Sequence, residues 1–500
     1  MVNLFSVSVE TVLSPLLTAS AIQFAALIGI SVLFTRRGAS TYTVILFALA
    51  CLPVPLLNIK GHWFLAGDLA GALLLMLAVV DPVNALPSKL YCPRVAILYL
   101  IGVVLWPLLS AWHATLALNE TISRDPLLDF VFRSIVQLGF FVWAYRVGIR
   151  SRKPLQLLLV PVLLWVVFAT AGILQFAGLL NVDAFWQINA RYRDTRQGGL
   201  VSGFMGMDKP QLALWANYAL VIALWVRSEK GMRWLLWLVL PLSVTTVLLI
   251  GSRQGLIALA FVLFVTLVIQ WRVGQLTWLP QAVVASIICA LLLPALFGAV
   301  GWAQLQRAVG KFEELRRVGS VQQLVDARDR TTRKLFSYIL QNTQRLTVGS
   351  GIATESPPGG PPPDRGGGPR TYAEGEFLRL LWAGGLISVF FYLLILGMFL
   401  RNAARGLDLR APASIQTVGG LLLTVTLTGI LFCFGQFHMF TVNYQNVPCN
   451  YLLWIASGLL LGHVTAWRRS PLMPTAPPVY SLAAHRTHSL NAGLEPGITN

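Results

Sequence analysis

The stretch Thr245–Phe264, TTVLLIGSRQGLIALAFVLF, sets two apolar runs on either side of a single arginine. An arginine at the centre of a bilayer costs roughly 2.5–3.5 kcal/mol by insertion scales. Arg253 therefore belongs either in a tight turn at a membrane surface or against a polar cavity. Topology decides between the two. The 500-residue chain is 56% hydrophobic and 12% charged, far too little charge for a soluble surface of this size. Apolar runs of the length that crosses ~30 Å of hydrocarbon recur from end to end. They fall at 13–34, 41–58, 63–81, 95–114, 127–145, 155–180, 211–226, 233–250, 255–270, 279–300, 376–400, 415–436 and 450–467. The expectation is an all-α, polytopic integral membrane bundle of about 12–14 helices.

Short loops sort these spans by charge. Arg36, Arg37, Lys89, Arg94, Arg146, Arg150, Arg152, Lys153, Arg227, Lys230, Arg233, Arg272, Arg401, Arg405, Arg410, Arg468 and Arg469 share one side. Lys60, Arg124 and Arg253 are almost all that the opposite short loops offer. The Lys/Arg bias makes the first side cytoplasmic, and Arg253 then caps a helical hairpin, between Gly251 and Gly255, at the outer surface. The N-terminus, MVNLFSVSVE, has neither a basic segment nor a small-residue cleavage site, so no signal peptide is expected. The net charge of +18 reads as orientation-setting loop charge rather than a nucleic-acid surface. The five cysteines show no CxxC spacing and read as packing residues.

The chain divides into transmembrane helices over 1–180, an extracytoplasmic Arg-rich segment 181–210, and helices over 211–300 that include the Ser-Arg hairpin. A large extracytoplasmic loop follows at 301–375, then helices over 376–467 and a polar cytoplasmic tail 468–500, read as disordered. The loop begins with amphipathic helical composition and ends in the Pro/Gly-rich linker 356–370, SPPGGPPPDRGGGPR. Arg191, Arg193 and Arg196, with Arg307, Arg316, Arg317, Arg328, Arg330, Arg333 and Arg345 of the loop, gather guanidinium groups on the outer side. Each alone reads as a solvated surface residue. Together they suit the phosphate oxygens of an anionic lipid, because the planar fork of arginine matches that geometry. Glu374 and Glu376 stand where the chain returns to the membrane. They read either as helix-capping carboxylates or as a general base for a sugar hydroxyl. His438 reads as a packing or cavity-lining residue, and no histidine has metal-ligand spacing. Asp68 and Arg133 lie within spans and are expected to face other helices or each other.

Four segments in order resemble a family. LVSGFMGMDKPQLALWANYAL (200–220), IGSRQGLIALA (250–260), DRTTRKLFSYILQNTQRLTVGSGIA (329–353) and AEGEFLRLLWAGGLISVFFYLLIL (373–396) are similar to conserved words of O-antigen ligases and polymerases, the Wzy-like membrane glycosyltransferases. The resemblance covers about residues 185–400. It implies a GT-C-like bundle in a bacterial inner membrane, with its active site facing the periplasm. The implied reaction is metal-independent, inverting transfer of a glycan carried on polyprenyl pyrophosphate. No cofactor and no nucleic acid are implied; the bilayer and a chain-length regulator are further partners. Carried over by motif, Arg253 matches the Ser-Arg turn, Arg330 the loop arginine, and Arg193 or Arg196 the first outer arginine. Glu374 stands at the ligase histidine position, with Glu376 its rival as the catalytic carboxylate. Glu374-Gly375 in place of His-Asn favours a polysaccharide polymerase over a ligase that moves finished glycan to lipid A or protein. A transporter or lipid flippase is the reading from another class.

Overall fold

A computed structural model describes residues 55–59, 62–80, 93–118, 124–151, 153–176, 209–227, 232–250, 253–273, 336–351, 376–433 and 447–469, with isolated helical positions between 25 and 32 and at 284, 306 and 310. The first elements are a β-hairpin, β1 (Pro55–Ile59) and β2 (His62–Leu65), paired antiparallel with Ile59 opposite His62. The helices that concern the site, among the described residues, are α1 (Ala66–Val80), α2 (Arg94–Ala117), α3 (Arg124–Arg150), α4 (Leu159–Phe176), α5 (Lys209–Val226), α6 (Arg233–Ile250), α7 (Arg253–Arg272), α8 (Thr343–Thr347), α9 (Glu376–Gly406), α10 (Ala413–Cys433) and α11 (Val447–Arg469); a short helix, Pro154–Leu157, precedes α4. Among the described residues seven helices are long and apolar enough to cross a membrane. The protein is thus a multi-pass helical membrane protein. Two span ends of the sequence reading are corrected: residues 55–58, assigned to the end of the span 41–58, and 63–65, assigned to the start of the span 63–81, lie in the strands of the hairpin instead. Ile59, Trp63 and Phe64 favour strands, and Gly61 between them suits a hairpin better than a helix end.

Among the described residues, helices α3 and α11 share the most extensive contact, and small residues allow their close approach. A Cβ on Gly462 would meet the Tyr145 carbonyl oxygen at 2.1 Å, one on Gly148 the Leu459 carbonyl oxygen at 2.1 Å, and one on Gly458 the Phe141 carbonyl oxygen at 2.6 Å. Gly458 and Gly462 form a Gly-x-x-x-Gly face, the spacing that lets two membrane helices touch backbone to backbone. Aromatic rings fill the space beside this seam: Phe141 meets Trp454 edge-on at 5.0 Å, and Tyr99 meets Trp454 at 4.8 Å.

Helix α2 contains a π-helical stretch, Leu100–Leu105. Pro107 lies just beyond it and has no N–H to donate. The carbonyl of Gly102, five residues earlier, instead accepts the Ser388 hydroxyl of α9 at 2.8 Å. A Cβ on Gly102 would lie 2.2 Å from Phe391, so α2 and α9 are in direct contact at this level.

Arg94, Arg401, Arg405, Arg468 and Arg469 surround one cavity, so the helix ends that carry them form one arginine-rich end of the bundle. Arg227 and Arg233 belong to the same class of loop in the charge sorting; burial, then the neighbouring Arg233, pushes the Arg227 guanidinium down to about 10.

Candidate functional site

Helix α9 is not one rod. Gly384 (φ −139°, ψ 16°) and Gly385 (φ 62°, ψ −160°) break it. Phe377 and Tyr392 lie fifteen positions apart, which a straight helix would separate by ~22 Å; their ring centroids are 5.9 Å apart. Residues 376–383 therefore form a short arm folded back against the long helix that begins after Gly385. The sequence reading had one continuous span over 376–400; the two glycines turn it into a re-entrant arm and a span. Gly385 sits where only glycine is comfortable, and a Cβ there would lie 2.3 Å from the Thr347 carbonyl oxygen.

The end of the arm would leave carbonyls without partners. Segment 348–351 supplies them. Ser350 N–H donates to the Trp382 carbonyl (2.7 Å) and Gly351 N–H to that of Ala383 (3.0 Å). Trp106 Nε1 donates to the Gly384 carbonyl (2.9 Å), and the Ser110 hydroxyl donates to the Val348 carbonyl (2.6 Å). Gly349 (φ 90°) and Gly351 (φ 82°) let this segment lie against the turn, and a Cβ on Gly351 would collide with Ala111. Helix α8 leads into it, started by Asn342, whose side chain accepts from the Gln344 and Arg345 N–H groups. The Arg345 guanidinium lies 4.1 Å from the Tyr338 ring centroid, and Tyr338 packs on Trp382 of the arm at 5.9 Å. An arginine of the large loop thus stands beside the re-entrant arm.

At the foot of the arm Glu376 is fully buried, with Arg379 buried one turn along. Tyr99 of α2 is within electrostatic reach of Glu376 and beside Ser134 of α3. Next to Ser134, Arg133 approaches Asp68 of α1 at 3.8 Å, and Tyr451 of α11 donates a hydrogen bond to the other oxygen of Asp68. Asp68, Arg133, Ser134 and Gln137 are all buried. Four helices and the arm thus enclose a chain of polar groups inside an apolar bundle. Its position follows from Phe130, which packs on Ala383 near the top of the arm. Ser134 is one helical turn, ~6 Å, deeper.

Asp68 and Arg133 face each other, as expected for two charges placed within spans. Arg253 is the first residue of α7, and the expected turn before it lies outside the described residues. Its neighbour Gln254 donates through Nε2 to the Phe432 carbonyl at the end of α10 (2.7 Å). Glu374, Arg191, Arg193, Arg196, Arg328, Arg330 and His438 lie outside the described residues, as do segment 181–210, the linker 356–370 and the tail beyond 469. Arg379, Tyr99, Ser134, Gln137 and Tyr451 were not singled out from the sequence. The spacing Glu376-x-x-Arg379, two opposite charges one turn apart at the start of an apolar run, is a signal that could have flagged Arg379.

No family model matches this chain, and no curated protein matches it significantly. The resemblance to O-antigen ligases and polymerases rests on the four motifs alone.

Proposed function

We propose that the protein is a membrane glycosyltransferase that polymerises oligosaccharide repeat units carried on polyprenyl pyrophosphate into a surface polysaccharide. The observation that carries this reading is the buried Glu376 at the foot of a glycine-turned re-entrant arm, with Arg345 beside the same arm. A carboxylate held in the bundle accepts the proton of the acceptor sugar hydroxyl as its oxygen attacks the anomeric carbon. The bond from that carbon to the pyrophosphate oxygen breaks, and the lipid pyrophosphate leaves. Attack opposite the leaving group inverts the anomeric centre. Arginines bind the diphosphate and offset the charge that builds on it; Arg253, Arg345 and the outer arginines Arg193, Arg196 and Arg330 are assigned this role. Glu376 is the proposed base, and Glu374 its rival two residues away. The Lys/Arg bias of the short loops supports an extracytoplasmic site, and the resemblance implies a bacterial inner membrane.

The test compares Glu376→Gln, Glu374→Gln and Arg253→Ala in cells that supply the lipid-linked repeat. Glu376→Gln and Arg253→Ala are expected to reach the membrane at normal levels and to yield single repeats without long chains. Normal chain lengths in both would overturn the mechanism. Loss of chains in Glu374→Gln alone would move the base to Glu374. Transfer of whole chains to lipid A or protein would favour the ligase reading.

One observation supports a second reading. A helix broken near buried charges is also a transporter feature, where it builds a substrate site. Movement of lipid-linked glycan across liposomes by the purified protein, without elongation, would support a flippase instead.

A further inference from the structure

Five arginines converge on a cavity of about 810 Å³ at the arginine-rich end, away from the re-entrant arm. Arg94 comes from the start of α2, Arg401 and Arg405 from the end of α9, and Arg468 and Arg469 from the end of α11. None of the lining residues is acidic. The polar neighbours Asn402 and Thr465 each donate to the carbonyl one turn back, Met398 and Leu461, both at 2.7 Å. Guanidinium groups are thus the main donors offered to the cavity. Arg401 and Arg468 both bear on Arg405, a repulsion that an anion between them would relieve.

Besides Tyr145, the rest of the wall is apolar: Pro93, Val95, Ile97, Met398 and Leu461. Ile97 is also the first residue of an exposed stripe on α2 that continues through Ile101 and Leu105. These residues are spaced four apart, so they share one helix face that runs from the cavity toward the bundle centre. A water-soluble phosphate would use the arginines and leave the stripe unused. A lipid uses both.

We propose that this cavity seats the phosphate headgroup of an anionic phospholipid of the cytoplasmic leaflet, with an acyl chain along Ile97, Ile101 and Leu105. Basic pockets between helix ends on the cytoplasmic side suit such headgroups, and the Lys/Arg bias assigns this end to the cytoplasm. The site is independent of the glycan chemistry proposed above.

Native mass spectrometry of the full-length protein in neutral detergent tests it, with chain-matched phosphatidylglycerol and phosphatidylcholine. Phosphatidylglycerol is expected to bind at least tenfold more tightly. The double variant Arg405→Ala/Arg468→Ala is expected to lose that preference, while Arg410→Ala, outside the cavity, retains it. Equal retention of the two lipids, or an unchanged preference in the double variant, overturns the proposal. Inorganic phosphate that displaces no lipid yet stabilises the protein as well as phosphatidylglycerol would assign the cavity to a soluble anion and overturn it as well. A photoactivatable phosphatidylglycerol on the wild-type protein gives a reading that needs no variant. Adducts are expected on peptides from 94–105 and 398–405, and their absence there counts against the site.

Discussion

Asp68 and Arg133 place two opposite charges where neither could stay alone. Arg133 is 2% exposed and Asp68 is fully buried, and their contact at 3.8 Å is joined by the Tyr451 hydroxyl. Removing one partner of a buried pair strands the other charge, which costs about 3–5 kcal/mol. Replacing both by neutral groups removes the desolvation cost as well as the attraction. Arg133→Met is therefore expected to lower stability by about 3 kcal/mol, and the double variant Asp68→Asn/Arg133→Met to recover most of it. Thermal unfolding of purified protein measures this, and equal stability of Arg133→Met and wild type would show that the pair does not hold the bundle. The glycine of the turn acts at the same scale. Gly385 has φ 62° and ψ −160°, and its missing Cβ would lie 2.3 Å from a backbone oxygen. Gly385→Ala combines a glycine-only conformation with a clash and is expected to cost at least ~2 kcal/mol. That these charges turn inward was legible in the sequence, since a charge inside an apolar run has to find a partner; that they meet each other was one of two outcomes it left open. The role of Tyr451 was not legible, because a tyrosine near a span end is equally at home at the membrane interface.

Among the elements, the seam between α3 and α11 depends on Gly148, Gly458 and Gly462, each within 2.6 Å of a facing carbonyl if given a Cβ. Without a hydrophobic drive between helices in lipid, such close packing carries much of the association. Gly462→Ala is expected to lower stability by at least ~2 kcal/mol, because the atom it would strike is backbone and cannot rotate away. Gly397 of α9 has nothing within 4 Å of its Cβ position, so Gly397→Ala is expected to change stability by no more than about 0.5 kcal/mol. A similar loss in both variants would refute packing as the cause. The long apolar run of α9 was legible as a span, but its fold-back was not. Gly384-Gly385 in an apolar stretch reads the same whether it packs against a neighbour or turns the chain; the contacts of Thr347 and segment 348–351 decide.

At the level of the whole molecule, the charge sorting makes one prediction about orientation. The turn after α9 is exposed, with Leu409 70% accessible, and belongs to the arginine-rich end. Gln341, ahead of α8, is exposed on the side of the re-entrant arm. In a background with the five native cysteines replaced, a membrane-impermeant maleimide added to intact cells is expected to label Gln341→Cys and to spare Leu409→Cys until the membrane is opened. The reverse pattern would invert the topology and move the proposed glycan site to the cytoplasm.

The seven long apolar helices, the helical membrane class and the gathering of Arg94, Arg401, Arg405, Arg468 and Arg469 at one end were legible in the chain before it folded. Each rests on local composition: an apolar run long enough for a bilayer, or a basic residue in a short loop. Which polar residues meet was settled only in three dimensions. Glu376, Tyr99, Arg133, Asp68 and Tyr451 come from five separate stretches of sequence, and the arginines around the cavity come from three. Within an apolar bundle, the cost of an unsatisfied polar atom is what brings such groups together, and no local pattern records which partner satisfies which.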